Sequence, residues 1–167
     1  LYRAPYWIPD ENNIFHDEGE TYEGFQPTFE SDVIDNNFTA GVTGDKSGWN
    51  YDLSASFGSN AVDYKVDNSQ NLDMGAESPT TFNPGGYEFS HSVTNFDLSK
   101  SLGMITLGLG SEFRFENFVA LAGEEASYFG GGAQSFPGIQ PQNAVDVNRQ
   151  NFGFYMDLGA DVTEDLY

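Results

Sequence analysis

The stretch Ser101 to Val119, SLGMITLGLGSEFRFENFV, repeats with a period of two. Ile105, Leu107, Leu109, Phe113 and Phe115 fall in one phase, and Thr106, Gly108, Gly110, Glu112 and Arg114 in the other. Successive side chains of a strand point to opposite faces, so this pattern predicts one long strand with an apolar face and a small or charged face. Glycines and charges are unusual on the inner face of a soluble sheet. They suit a solvated wall or the lumen of a barrel.

Other segments follow the same rule. NNFTAGVT at 36–43 places Phe38, Ala40 and Val42 together, and WNYDLSASFG at 49–58 places Trp49, Tyr51, Leu53, Ala55 and Phe57 opposite Asn50, Asp52, Ser54 and Ser56. With GDKSG at 44–48 between them, the two predict a β-hairpin. FSHSVTNFDLS at 89–99 alternates His91, Val93, Asn95 and Asp97 with Ser92, Thr94, Phe96 and Leu98, and a turn at Lys100–Ser101 is expected to lead into the long strand. The last strand is expected at 151–162, with Phe152, Phe154, Met156, Leu158, Ala160 and Val162 on one face, followed by a turn at 163–166. Between these lie two irregular stretches, 59–88 and 120–148, rich in glycine, proline and polar residues and expected to be loops, the first with a short strand around Tyr64 and Val66. Gly130, Gly131 and Gly132 read as flexible loop glycine. They lack the lysine and the strand–helix context of a phosphate cradle.

Charge narrows the partners. The chain carries 6 Lys+Arg against 26 Asp+Glu, a formal net charge of -20. Such a chain repels phosphate backbones and anionic headgroups, so no nucleic-acid partner and no polybasic membrane site are expected. There is no cysteine, which excludes disulfides and thiolate metal sites. No apolar run approaches the roughly 20 residues of a membrane-spanning helix. Barrel strands need only about 9–11 residues with every second one apolar, and hydropathy averaging hides them.

The apolar phases have an internal order. Trp49 and Tyr51 open their strand, aliphatics fill its middle and Phe57 closes it; Phe113 and Phe115 end the long strand, and Phe152 and Phe154 begin its expected partner. Aromatic rims with aliphatics between them, and short turns at one end with long loops at the other, match an outer-membrane barrel. The competing architecture is a soluble acidic β-sandwich acting as a binding module for carbohydrate or calcium. It accounts for the alternation but leaves the girdle order unexplained. The expected fold is therefore all-β, an antiparallel transmembrane β-barrel segment with long extracellular loops. About five strands are expected where even small bacterial barrels have about eight, so the chain reads as a portion of a larger barrel, or a cut piece of a longer chain.

Several spaced motifs then carry a resemblance. GSEFRFENF at 110–118, AGEEASYFGGG at 122–132 and QSFPGIQPQNAVDVNRQNFGFYMDL at 134–158 occur in the order of a recurring barrel segment of the TonB-dependent outer-membrane receptors. WNYDLSASFGSN at 49–60 and the later MGAESPTTFNPGG stretch resemble an earlier strand and loop of the same family, and Ile139 stands where an aromatic is expected. The resemblance covers 36–167 and is weaker over the acidic, aromatic region 1–35, which is expected to be loop. It implies a barrel of about 22 strands closed by a plug. The implied activity is import of a scarce ligand (siderophore, vitamin or glycan) with energy from the TonB system, in the cell outer membrane. The implied partners are outer-membrane lipid, the plug and remaining barrel of the parent chain, the TonB complex acting through that plug, and a surface lipoprotein.

Candidate ligand or lumen contacts are Trp7, Tyr22, Glu112, Arg114, Glu116 and Asp157. Trp7 and Tyr22, with Tyr6, Phe15 and Phe25, are rings able to stack on sugars. Glu112, Arg114 and Glu116 share the charged phase of the long strand, where salt bridges to neighbouring strands are the plainer role than paired-acid hydrolysis. Asp157 and Asp161 are expected to complement Arg114 or Arg149. No Ser/His/Asp, HExxH or phosphate-loop pattern occurs, and no enzyme and no cofactor are expected. Asp10, Glu11, Asp17, Glu18, Glu20 and Glu23 offer oxygen ligands for Ca2+, but without calcium-loop spacing a solvated acidic loop is the plainer reading. His16 and His91 read as surface histidines.

Overall fold

The structure is a computed structural model that describes residues 2–3, 14–16 and 24–160. Its strands are β1 (Tyr2–Arg3), β2 (Thr28–Lys46), β3 (Trp49–Asp67), β4 (Gly85–Leu102), β5 (Ile105–Ala122) and β6 (Val145–Ala160). They form one open sheet in the order β1-β2-β3-β4-β5-β6, with the five long strands antiparallel. Each strand thus pairs with its sequence neighbours. The short β1 pairs with the start of β2, Tyr2 opposite Phe29 and Arg3 opposite Thr28. No helix among the described residues is long and apolar enough to cross a membrane.

All five expected strands are present, and most run further than their alternation. The stretch 28–35, expected as loop, belongs to β2, and β3 continues through Asp67. The first extension has no clean apolar phase; in the second, Val62, Tyr64 and Val66 alternate with Asp63, Lys65 and Asp67, on the phase opposite to Trp49 and Phe57. Ladder hydrogen bonds to a neighbouring strand hold such a stretch extended whatever its polarity. The connections are accordingly 68–84 and 123–144, shorter than 59–88 and 120–148.

The hairpin turns follow backbone chirality. Ser47 and Gly48, at φ 57° and 79°, join β2 to β3 with positive φ at both central residues. That geometry matches the right-handed twist of the strands. The β4–β5 turn lies at Gly103–Met104 rather than at Lys100–Ser101. Gly103 adopts φ 72°, a position that favours glycine, while Lys100 and Ser101 remain in the strand.

The chain divides into two compact units. The first takes the residues up to Ile34, Asn60–Glu88 and Phe118–Val147; the second takes Asp35–Ser59, Phe89–Asn117 and the residues from Asn148 onward. The first has a buried core of Val66, Phe82 and Ala133, with Phe29, Ala126 and Phe136 packed against it. Its connections are stitched by side chains. Asn71 donates through Nδ2 to the carbonyls of Ala126 at 2.9 Å and Phe129 at 2.8 Å, while its Oδ1 accepts from the Asp73 amide at 3.1 Å. The Gly130–Gly132 run is built into this network. The Gly131 amide donates to Asp73 Oδ2 at 2.5 Å, and Gly130 and Gly132 supply positive φ. The expectation of loose loop glycine is therefore corrected.

The second unit is built from strand segments alone. Asn36 Nδ2 lies 3.4 Å from Ser59 Oγ across the β2–β3 pair, and at its turn end Lys100 Nζ sits 5.3 Å from the Trp49 ring centroid. Phe38, Leu53, Phe57, Phe96, Phe113, Phe154, Met156 and Leu158 are all exposed.

Candidate functional site

The charged phase of β5 faces its neighbours as the alternation predicts. Arg114 Nε lies 3.1 Å from Glu112 Oε1, and Arg114 Nη1 3.9 Å from Glu116 Oε1. From β6, Arg149 donates through Nε to Glu116 Oε2 at 2.8 Å and also contacts it through Nη2. Two acids and two arginines thus form one chain of ion pairs. Arg149 is largely exposed while Glu116 is mostly covered. Exposed pairs of this kind contribute about 0–1 kcal/mol, so the row fixes strand register more than it stabilises the fold.

Asp157 does not join that row. A Cβ built at Gly108 would meet the Asp157 Cβ at 3.5 Å, which places the two residues side by side on adjacent strands. The Arg149 fork goes to Glu116 instead, so the expected pairing of Asp157 with Arg114 or Arg149 is corrected. The β5–β6 register explains it. The same alignment that sets Asp157 beside Gly108 sets Arg149 beside Glu116, well along the strand.

Gly110 lets a third contact form. A Cβ there would run into the Tyr155 ring and the Asp97 carboxylate. With glycine in place, Tyr155 lies across β5 and donates its hydroxyl to Asp97 Oδ1 on β4 at 3.0 Å. Asp45, Asn50, Asp52, Asp97, Ser99 and Tyr155 line an open groove of about 480 Å³. The opposite phase lines a groove of about 490 Å³ with Phe96, Leu98, Leu109, Phe154 and Met156. One phase of the strands is therefore polar and acidic, and the other apolar.

Known protein families, curated proteins and solved structures gave no match to this chain.

The polar groove offers hydrogen-bond acceptors in Asp45, Asp52 and Asp97. No group of three or more His, Asp or Glu side chains among the described residues is placed to hold a metal ion. Glu112 and Glu116, the acids weighed for hydrolysis, both spend their carboxylates on arginines. Trp7, Tyr22 and Tyr6 lie outside the described residues, as do Asp161 and the acidic set Asp10, Glu11, Asp17, Glu18, Glu20 and Glu23. Phe25 is buried and stacks on Phe15 at 4.6 Å, so those two rings pack on each other. His91 is half-buried, with its ring where a Cβ on Gly58 would go.

Sequence reasoning missed a row of rings in the first unit. Phe29, Tyr64, Tyr87 and Phe118 stand on four successive strands, β2 to β5. The signal was the spacing of each ring from the polar phase of its own strand. Tyr87 is in step with Val93, Asn95 and Asp97, and Phe118 with Glu112, Arg114 and Glu116.

Proposed function

We propose that this chain is part of the wall of an outer-membrane β-barrel receptor that imports a scarce ligand with energy from the TonB system. The supporting observation is the uncovered apolar phase of the paired strands. Phe154 is 77 % exposed and Met156 67 % exposed, on a groove shared with Phe96, Leu98 and Leu109. An apolar surface of this extent needs an apolar neighbour, and lipid supplies one along a whole strand. A sandwich would need a second sheet over that phase, and the described residues form one sheet.

Three further features support the reading. Phe152 and Phe154 meet edge-to-face at 4.5 Å, and the β5–β6 register sets Phe152 beside Phe113, which makes an aromatic rim. At the turn end, Trp49 lies under the ammonium of Lys100. Amphipathic rings and long basic side chains are the residues that settle at a lipid–water boundary. Finally, β6 is an edge whose residues are almost all exposed. Open edges are not tolerated in hydrocarbon, so in this reading further strands of the parent chain pair with it. Loops 68–84 and 123–144 then face the cell exterior, and the plug and TonB complex act from the parent chain.

Fractionation tests this. The chain expressed with its parent barrel sediments with outer membranes and stays in solution only with detergent. Recovery as a monodisperse species in buffer without amphiphile overturns the proposal.

A further inference from the structure

The row of rings in the first unit borders a groove of about 360 Å³. Phe29 is stacked between Tyr64 at 4.8 Å and Phe136 at 4.7 Å, with interplanar angles of 29° and 27°. Tyr87 meets Tyr64 nearly edge-on, at 6.0 Å and 80°, and lies 6.0 Å from Phe118 at 20°. Five rings therefore run in unbroken contact. At one end Phe29 and Phe136 rest on the core, and the row runs outward from there. Tyr87 and Phe118 remain exposed, while Phe29, Tyr64 and Phe136 are half-buried.

The lining chemistry is selective. Phe29, Tyr64, Tyr87 and Phe136 supply ring surface, Ile139, Pro84 and Pro137 aliphatic edges, and Ser135 and the two tyrosines hydroxyls. None of the lining side chains is charged. An anion meets no basic group there and is repelled by a chain of net charge -20. An organic cation meets ring faces in a chain of net charge -20, but no carboxylate lines the groove to pair with it and it makes no use of the three hydroxyls there. A neutral ring molecule with apolar C–H faces and hydroxyl edges matches both parts of the lining. Small-molecule sites have this composition, mostly apolar walls with a few polar groups, and begin at about 300 Å³.

We propose that this groove binds a neutral saccharide, with Tyr64 and Tyr87 as the central contacts. The proposal names the substrate class for the receptor reading above and rests on that reading for the transport step after capture. Binding itself does not depend on it.

The test is calorimetric titration of the purified chain, in detergent if it requires detergent, with neutral hexasaccharides of α-linked glucose, β-linked glucose, β-linked xylose and β-linked mannose. Tetraethylammonium and sulfate serve as charged probes. Saturable binding of at least one saccharide is expected, weakened roughly tenfold by Tyr87→Ala, with Tyr64→Phe (which keeps the ring) losing about two- to fivefold. Circular dichroism of each variant confirms that the sheet is retained, and Phe154→Ala, outside the groove, is expected to bind as the parent does. If no hexasaccharide binds, or if binding is indifferent to Tyr87→Ala, the groove assignment falls while the receptor reading stands. Tyr87-dependent binding of tetraethylammonium alone overturns the neutral ligand. A chain that binds saccharide but is soluble without amphiphile overturns the receptor and keeps the groove.

Discussion

In the first unit Val66 and Phe82 are almost wholly buried, whereas in the second Phe154 and Met156 stand open. Both units draw on the same strands and the same residue types. They differ in what covers the side chains. In the first, connections 68–84 and 123–144 fold back and supply a lid of Phe82, Ala133 and Phe136, fixed by buried Asn71 and Ser127. In the second, the hairpins are joined by tight turns that offer nothing to pack. The first unit thus carries its own core. The second leaves its apolar phase uncovered. In the second unit the described acids, Asp35, Asp45, Asp52, Asp97, Glu112, Glu116 and Asp157, all fall in the polar phase of their strands.

Substitutions break this contrast in a definite order. Phe82→Ala removes the largest fully buried side chain of the first unit. It is expected to cost about 3–5 kcal/mol there. Limited proteolysis should then cut first within 123–144, while cleavage within 89–117 stays slow; equal loss of protection in both units would show that they share one core. Met156→Arg probes the other unit. Against lipid an arginine near the midplane costs roughly 2–4 kcal/mol, whereas at a site open to water the change stays within about 0.5 kcal/mol. Urea titration of the parent barrel folded into lipid vesicles separates these values, and a near-zero cost there would sink the lipid-facing assignment.

Asn71→Ala sharpens the account of the first unit. It leaves the Ala126 and Phe129 carbonyls without their amide donor and removes the cap on Asp73. An unsatisfied buried group costs about 1–3 kcal/mol, and a loss of that order is expected. Hydrogen exchange should accelerate at Ser127–Gly132 and leave the β2–β3 hairpin unchanged. Uniform acceleration would mean that the network holds more than the loops.

These two regions also differ in how far they were legible in the sequence. The second unit follows from period two: Trp49 to Phe57 and Ile105 to Phe115 needed a face count and little else. The β4–β5 turn was misplaced because Lys100–Ser101 breaks the alternation, whereas chain reversal depends on the positive φ of Gly103. The first unit was nearly opaque. Its order comes from contacts distant in sequence, Asn71 with Phe129 and Phe29 with Phe136, and neither pair leaves a local pattern. The aromatic row failed for the same reason. Phe29 and Tyr87 lie outside the stretches read as alternating, Tyr64 lies where the apolar phase of β3 has shifted, and Phe118 falls in the charged phase of β5. The row exists only once four strands are in register. For the charged residues, Glu112, Arg114 and Glu116 were grouped correctly, but the choice of Glu116 over Asp157 by Arg149 required the β5–β6 register.

The smallest effect is expected at Asp67, which ends β3 outside the stretch 49–58 read as barrel wall. Its carboxylate lies 2.6 Å from Lys65 Nζ and accepts from the Thr81 hydroxyl at 2.7 Å. The Lys65 ammonium, and after it the Thr81 hydroxyl, hold the Asp67 pKa below the usual carboxylate range. A lowered folded pKa stabilises the fold above the unfolded value, and that contribution disappears as pH falls through the folded one. Because Lys65 is largely exposed, the contribution stays under about 1 kcal/mol. Asp67→Asn should therefore leave a slightly less stable chain near neutral pH and a shallower loss of stability on acidification, with the two proteins converging at the acid end. Loop 68–84 should feel the change first, because Thr81 ties it to the end of β3 through this carboxylate. A gap between the two proteins that widened toward acid would reverse the sign of this linkage and remove Asp67 from the clasp.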